Sequence, residues 1–237
     1  MQKFKKIWQL LPIRFRNLIH FFIHRVNSSS VLLTLLLLRH KITVGNFKRA
    51  LPSPWLRLGE SRTFNGWVST NYQVFTRHFL NATRFYGEEI FEYIYADNVI
   101  EHLELKQGRL LIENAYLALK PGGVLRLTTP DLGQVVDRYQ LGNQEDLIQF
   151  ADDMLGHGVS VTHFPDLLRV TFTAFGHHKG YIYDESTLAN LLIECGFQDI
   201  VKYRPGDSAI LVFQNLESRN GKSDMWSQMA IEAKKPQ

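Results

Sequence analysis

From Leu56 to the carboxyl terminus, short apolar runs alternate with longer amphipathic segments. The runs "WLRLG", "GWVST", "FEYIYADNVI" and "VLRLTTP" have the length and composition of strands, whereas residues 102–119 and 184–197 show helical spacing of their apolar side chains. Alternating strands and helices fold most readily into a largely parallel sheet covered by helices. We therefore predict an α/β fold for this part of the chain.

Local signals mark the ends of these elements. The motif "KPGG" at residues 120–123 predicts a tight turn after the first helix. Asp184 is the predicted N-cap of the second helix, and Gly196 is its predicted end. The runs "QDIVKYR" and "SQMAIEAKK" then predict two closing strands.

The first part of the chain has a different character. Residues 1–59 contain eleven Lys or Arg and no Asp or Glu, so the rest of the chain is net acidic although the whole chain carries +4. Apolar residues within 1–26 share one helical face. We predict a basic amphipathic helical extension over residues 1–50 and a main domain over residues 51–237.

Three roles for this extension stay open: packing on the main domain, contact with an anionic membrane surface, and service as an organellar transit peptide. A membrane-spanning helix needs about 20 apolar residues. The run "VLLTLLLL" is only eight residues long, so no span is predicted. The basic residues alternate with aliphatic rather than stacking aromatic side chains, which favours a lipid surface over nucleic acid.

The chain has one cysteine, Cys195, which excludes an internal disulfide and a Cys-based zinc site. A reducing compartment is therefore expected, and we predict a cytoplasmic protein that can contact a membrane peripherally. The sequence makes no prediction of oligomeric state.

Four blocks resemble a known family: "LRLGESRTFNGWVSTNY", "YIYADNVIEHL", "LALKPGGVLRLTTPDL" and "YDESTLANLLIECGFQDI". Together they are similar to class I S-adenosylmethionine-dependent methyltransferases, in particular to the bacterial group found with surface-polysaccharide genes. The resemblance implies a Rossmann-like, mostly parallel seven-stranded sheet with helices on both faces. It also implies S-adenosylmethionine as cofactor, and a glycan, lipid-linked sugar or small metabolite as methyl acceptor.

Carried over residue by residue, the resemblance implies these cofactor-binding positions: Leu58, Gly59, Glu60, Ser61, Asn71, Tyr72, Asn81, Ala82, Asp97 and Asn98. Four of them depart from the family pattern. Glu60 stands where the family has Cys or Ser and adds a negative charge near the expected position of the cofactor's carboxylate, Ser61 replaces a glycine, and Asn71 and Asn81 replace aspartates. Neutral hydrogen bonds are weaker than charged ones, so the two amides weaken cofactor binding by about one to two powers of ten. The alternative is a non-catalytic binding or scaffold protein with a degenerate pocket.

A hydroxyl acceptor must lose a proton during methyl transfer, and Asp97 and His102 are the candidate catalytic residues. His177, His178 and Lys179 interrupt the regular alternation and are predicted either as a substrate-side loop or as a solvated surface loop. Four histidines fall within residues 157–178, but their spacing matches no helical metal pair and no acidic ligand is fixed beside them. No metal site is predicted.

Overall fold

The computed structural model describes residues 91–217 and 221–237 continuously, together with residues 41–44, 56–58, 73–74 and 89. Seven strands are described: β1 (Lys41–Val44), β2 (Leu56–Leu58), β3 (Gln73–Val74), β4 (Phe91–Asp97), β5 (Leu119–Pro130), β6 (Gln198–Tyr203) and β7 (Gln228–Lys234). The predicted helices of residues 1–38 and the predicted strand "GWVST" lie outside the described residues.

Six α-helices are described: α1 (Leu105–Ala118), α2 (Leu132–Leu141), α3 (Gln144–Leu155), α4 (Pro165–Thr173), α5 (Glu185–Glu194) and the short α6 (Asp224–Ser227). Three 3-10 turns accompany them, at Ile100–His102, Ala174–Lys179 and Leu211–Phe213. Within the described part of the chain, no helix combines the length and the apolar character that crossing a membrane requires.

The strands form one sheet in the order β3-β2-β1-β4-β5-β7-β6. β2 runs parallel to both β1 and β3. Asn98, just after β4, donates its backbone N–H to Thr128 near the end of β5 (2.9 Å), so β4 and β5 end at the same edge and run parallel.

β7 runs antiparallel to β5. The backbone N–H of Gly122 donates to the carbonyl of Lys235 (3.0 Å), and that of Asp131 donates to the carbonyl of Ser227 (2.9 Å). Residue numbers thus increase along β5 while those of the paired residues in β7 decrease, which defines an antiparallel pair. The α/β class is thus confirmed, and the sheet is mixed: β4, β5, β7 and β6 form a four-stranded mixed portion beside three short strands. Helices on both faces stay a prediction.

Two segments that the sequence did not predict as strands are strands in the structure. Lys41–Val44 form β1 rather than part of a helical extension, because this β-branched run pairs with Leu56–Leu58. The segment "KPGG" does not form a separate turn after α1. It belongs to β5, where Gly122 takes a φ of +75° and its N–H bonds to Lys235 across the sheet.

The chain divides into two compact units. The first contains the described residues up to Tyr95 with Leu110–Leu125 and Lys234–Gln237. Within it, the Lys235 ammonium donates to the carbonyl of Leu119 (2.8 Å) and lies 4.8 Å from the ring centre of Tyr116. These contacts hold the end of the chain beside the start of β5.

The second unit comprises Ala96–Arg109 and Arg126–Ala233. Helices α2, α3, α4 and α6 share an apolar cluster here, formed by Val135, Leu147, Phe150, Val161, Leu167, Val170 and Trp226. The region 150–180 is therefore mostly helical and packed. The apolar residues of α3 and α4 are buried against one another, and the three predicted loop residues His177, His178 and Lys179 lie beyond them in the kinked 3-10 turn Ala174–Lys179. Their role on the substrate side stays a prediction.

A charged cluster is also buried in the second unit. The guanidinium of Arg126, which is 0% exposed, bonds Glu217 through two nitrogens (2.6 and 2.9 Å) and Glu232 through the third (2.6 Å). Thr128 and Gly206 also donate to Glu217 (3.0 and 2.8 Å). Burial alone would raise the pKa of Glu217, but the hydrogen bonds and charge of Arg126 hold it below its ordinary value.

Candidate functional site

The chain makes a sharp turn at the carboxyl end of β4. The buried run Ile94–Ala96 ends there, Asp97 is half-buried, and Asn98 adopts a left-handed φ of +48°. Asparagine tolerates this conformation better than most residues because its short side chain can bond locally. The next residues form the 3-10 turn Ile100–His102, so the candidates Asp97 and His102 lie at the edge of the sheet where β4 and β5 both end. His102 precedes α1 and is not part of it.

Glu101 lies between these candidates and is completely buried. The hydroxyl of Thr129, near the end of β5, donates to its Oε2 (3.3 Å). Sequence reasoning did not assign Glu101 a role. The available signal was the run "NVIEHL", in which one acid stands between apolar residues that must be buried together.

His177 is buried in the 3-10 turn Ala174–Lys179, which follows α4. Its Nδ1 lies 2.8 Å from the main-chain carbonyl of Thr171, so Nδ1 carries the proton and donates it, which leaves Nε2 as the acceptor. Burial lowers the pKa of His177, and the hydrogen bond to Thr171 opposes that shift only in part. The imidazole is therefore neutral and fixed in one tautomer near neutral pH.

A close backbone approach brings the turn Ile100–His102 against the segment that follows His177. A Cβ on Gly180 would overlap the carbonyl oxygen of Glu101, so this position requires glycine. Tyr181 donates its backbone N–H to the carbonyl of Leu103 (2.9 Å), which fixes the register of the two segments.

This approach gathers three side chains that are distant in sequence. The rings of His102 and His177 lie 5.0 Å apart, centre to centre, with a tilt of 56°. One nitrogen of each ring and one carboxylate oxygen of Glu101 all lie within 4.8 Å of one another. The sequence showed no acidic residue fixed beside the histidines of residues 157–178. In the fold, Glu101 from the turn after β4 lies close to one of them, His177.

Tyr183 is a buried tyrosine close enough to Glu101 to interact with its charge. It is fully buried, and a Cβ on Gly108 of α1 would lie 2.5 Å from its hydroxyl. Gly108, which weakens α1 as a helix former, therefore makes room for the Tyr183 hydroxyl. Burial raises the pKa of Tyr183, and the nearby Tyr181 and Glu101 raise it further.

The remaining residues of the predicted site differ in burial and in whether the structure describes them. His178 and Lys179 are exposed, whereas the adjacent His177 is buried. Leu58 is the last residue of β2. The other cofactor predictions lie outside the described residues: Gly59, Glu60, Ser61, Asn71, Tyr72, Asn81 and Ala82.

No protein-family model matches the sequence. No curated protein matches it either. Several solved structures are remotely similar to the chain. A "possible exported protein" from Bordetella parapertussis is 13% identical, with a TM-score of 0.44 over 89% of this chain and 68% of that one.

An S-adenosylmethionine-dependent methyltransferase from Archaeoglobus fulgidus is also 13% identical, with a TM-score of 0.44 over 76% of both chains. Phosphoethanolamine N-methyltransferase 2 from Haemonchus contortus, solved with S-adenosyl-L-methionine, is 16% identical, with a TM-score of 0.34 over 63% of this chain. The match spans only 34% of that enzyme.

Proposed function

We propose that this chain is an S-adenosylmethionine-dependent methyltransferase that acts on a hydroxyl or amine of a glycan, a lipid-linked sugar or a small metabolite. One observation carries the proposal: the sheet order reverses between β1 and β4, with β2 and β3 following on one side and β5 on the other. In open α/β sheets, ligands bind beyond the carboxyl ends of the strands at such a reversal. The turn that holds Asp97, Asn98, Glu101 and His102 leaves β4 at that end.

The chemistry of these residues suits methyl transfer. Much of the catalysis in such a reaction is the alignment of the acceptor atom with the sulfonium methyl group. Asp97 and Asn98 are the proposed contacts to cofactor at this strand end. His102 is exposed at the rim and is the proposed contact to the acceptor. The surface-polysaccharide resemblance rests on the sequence blocks alone and narrows the choice among these acceptors only weakly.

A matched set of variants tests cofactor binding. Gly59→Trp fills the proposed cofactor turn and should abolish calorimetric binding of S-adenosylhomocysteine. Asn71→Asp and Asn81→Asp restore the family's carboxylates and should each tighten binding by about tenfold. Asn143→Asp makes the same change at the N-cap of α3 and should leave the affinity unchanged. An equal response of all three Asn→Asp variants would refute the proposed cofactor positions.

A non-catalytic binding or scaffold role is the second candidate, and the departures at Ser61, Asn71 and Asn81 favour it. It predicts that the folded protein gives no heat with S-adenosylhomocysteine, and that Asn71→Asp alone does not create binding.

We also propose that the basic residues of the first part of the chain contact an anionic membrane from the cytoplasm. Deleting residues 1–51 would remove β1 from the sheet, so the sharper test keeps the chain intact. Replacing Lys5, Lys6, Arg14, Arg16 and Arg25 by Gln should abolish cosedimentation with vesicles that contain phosphatidylserine. Unchanged cosedimentation would refute this contact.

A further inference from the structure

We propose that Glu101, His102 and His177 form a binding site for a first-row divalent transition-metal ion such as Zn²⁺, Mn²⁺ or Co²⁺. The proposal starts from the spacing of their ligand atoms, which all lie within 4.8 Å of one another. Metal–nitrogen and metal–oxygen bonds of about 2.0–2.2 Å place ligand atoms about 3.4 Å apart in a tetrahedral site. Separations of up to 4.8 Å therefore shorten by as much as about 1.4 Å when an ion binds, and rotation of the exposed ring of His102 supplies part of that movement.

The tautomer of His177 supports metal binding independently of the spacing. Metal-bound histidines almost always donate their second ring N–H to a carboxylate, a main-chain carbonyl or water. His177 donates Nδ1–H to the carbonyl of Thr171 (2.8 Å), which directs the lone pair of Nε2 away from that bond. The ring is 6% exposed, so packing fixes its orientation before any ion arrives.

Two of the three ligands are buried. The carboxylate of Glu101 is fully buried and accepts a hydrogen bond from Thr129, and Gly180 allows the backbone of Glu101 to approach the segment after His177. His177 is buried as well, whereas His102, from the same turn as Glu101, is exposed. Among the described residues, this is the only group of three or more His, Cys, Asp or Glu side chains with ligand atoms this close.

The ligand types decide the class of metal. Mg²⁺ and Ca²⁺ prefer oxygen ligands, whereas two imidazoles and one carboxylate suit Zn²⁺, Mn²⁺, Fe²⁺ and Co²⁺. Three protein ligands leave at least one coordination position open, as in catalytic rather than structural metal sites.

An ion with an open coordination position near the proposed methyl acceptor would have a role in the reaction. This role rests on the proposed methyltransferase function. A hydroxyl oxygen bound to the ion would lose its proton more readily than a free hydroxyl. In transfer, that oxygen would form a bond to the methyl carbon while the sulfur–methyl bond breaks and its electron pair returns to sulfur. The hydroxyl proton would pass to solvent. Metal binding itself requires none of these steps.

Metal titration of the full chain without cofactor tests the site. The chelator-treated protein is titrated with Co²⁺, whose visible absorption reports nitrogen and carboxylate ligation, and Zn²⁺ is then added as a competitor. We expect one Co²⁺ per chain, displaced by Zn²⁺. His102→Asn, His177→Asn and Glu101→Gln should each weaken Co²⁺ binding at least about tenfold.

His178→Asn is the matched control, because His178 is an exposed neighbour of His177 and is not one of the three ligands. It should bind Co²⁺ as the wild type does. The proposal is overturned if the folded wild type binds no Co²⁺ or Zn²⁺, or if His102→Asn binds Co²⁺ as tightly as His178→Asn. His102 is exposed, so we expect His102→Asn to fold. This variant therefore tests the site even if substitutions of the buried ligands Glu101 and His177 prevent folding. The metal titration contains no cofactor, so an absence of metal binding would refute the metal site alone. The methyltransferase proposal is tested separately by the titration with S-adenosylhomocysteine.

Discussion

The imidazole of His102 lies 5.0 Å from that of His177, although the two residues belong to distant parts of the sequence. The turn after β4 carries one ring, and the segment after α4 carries the other. Their proximity depends on Gly180, whose lack of a side chain lets the two backbones touch. The site is therefore a product of the close approach of two short segments.

Gly180→Ala should destabilise the protein and disrupt this site. The added Cβ overlaps the carbonyl oxygen of Glu101, which is main chain and cannot rotate away. We expect the free energy of unfolding in urea to fall by about 1–3 kcal/mol. Gly156→Ala is the control, because its Cβ would lie at an ordinary 3.4 Å from the carbonyl of Asp153. Equal stability of the two variants would contradict this account of the site.

Gly108 and Tyr183 should show strong coupling in a double-mutant cycle. Gly108→Ala alone places a Cβ 2.5 Å from the Tyr183 hydroxyl and should cost about 1–3 kcal/mol. Tyr183→Phe removes a buried hydroxyl that has no hydrogen-bond partner within the described residues, so it should be nearly neutral or stabilising. In the Phe background, the cost of Gly108→Ala should fall by more than about 1 kcal/mol. Additive effects in denaturant unfolding would exclude the proposed packing.

Arg126→Met should destabilise the protein by about 3–5 kcal/mol, because it leaves Glu217 and Glu232 buried without their cation. Arg109→Met is the matched control. Arg109 also bonds a glutamate at 2.6 Å, but its side chain is 40% exposed and that of Glu194 is 60% exposed. We expect a loss of at most about 1 kcal/mol there. Similar losses for both variants would show that burial does not set the strength of these ion pairs.

Asp184 should make stability depend on pH in the acid range. Hydrogen bonds from Thr187 favour its ionised form and lower its pKa below the ordinary 3.8. A lowered folded-state pKa contributes stability that is complete above 3.8 and is lost as pH falls through the lower value. The stability difference between wild type and Asp184→Asn should therefore shrink between about pH 5 and pH 2. A difference that stays constant over this range would contradict the assignment.

The capping role of Asp184 was predictable because it depends on neighbours in the sequence. Its carboxylate accepts the backbone N–H of Thr187 (2.7 Å), and α5 ends before Gly196 as predicted. The strand "FEYIYAD" was likewise visible in its pattern of apolar and aromatic residues. An N-cap of this kind depends on residues only three or four positions apart, so the sequence displays it directly. The motif "KPGG" shows the limit of local signals, because pairing across the sheet places it in β5.

The cluster of Glu101, His102 and His177 was not predictable from the spacing of these residues in the sequence, because His177 meets the other two only through tertiary packing. Nothing local indicates that the main-chain carbonyl of Thr171 accepts a hydrogen bond from His177, or that Glu101 meets the two histidines. The run "NVIEHL" indicates only that Glu101 is buried. The strand Lys41–Val44 was missed for the same reason, since its pairing with Leu56–Leu58 joins distant segments. Non-local contacts decide both features, and a single sequence does not display them.

A calorimetric titration of the full chain with S-adenosylhomocysteine tests the central claim most directly. We predict saturable heat with one ligand per chain, while circular dichroism shows the protein folded. No heat at about 1 mM ligand, where binding worth about 4 kcal/mol would be detected, would contradict the proposal that this chain is a methyltransferase.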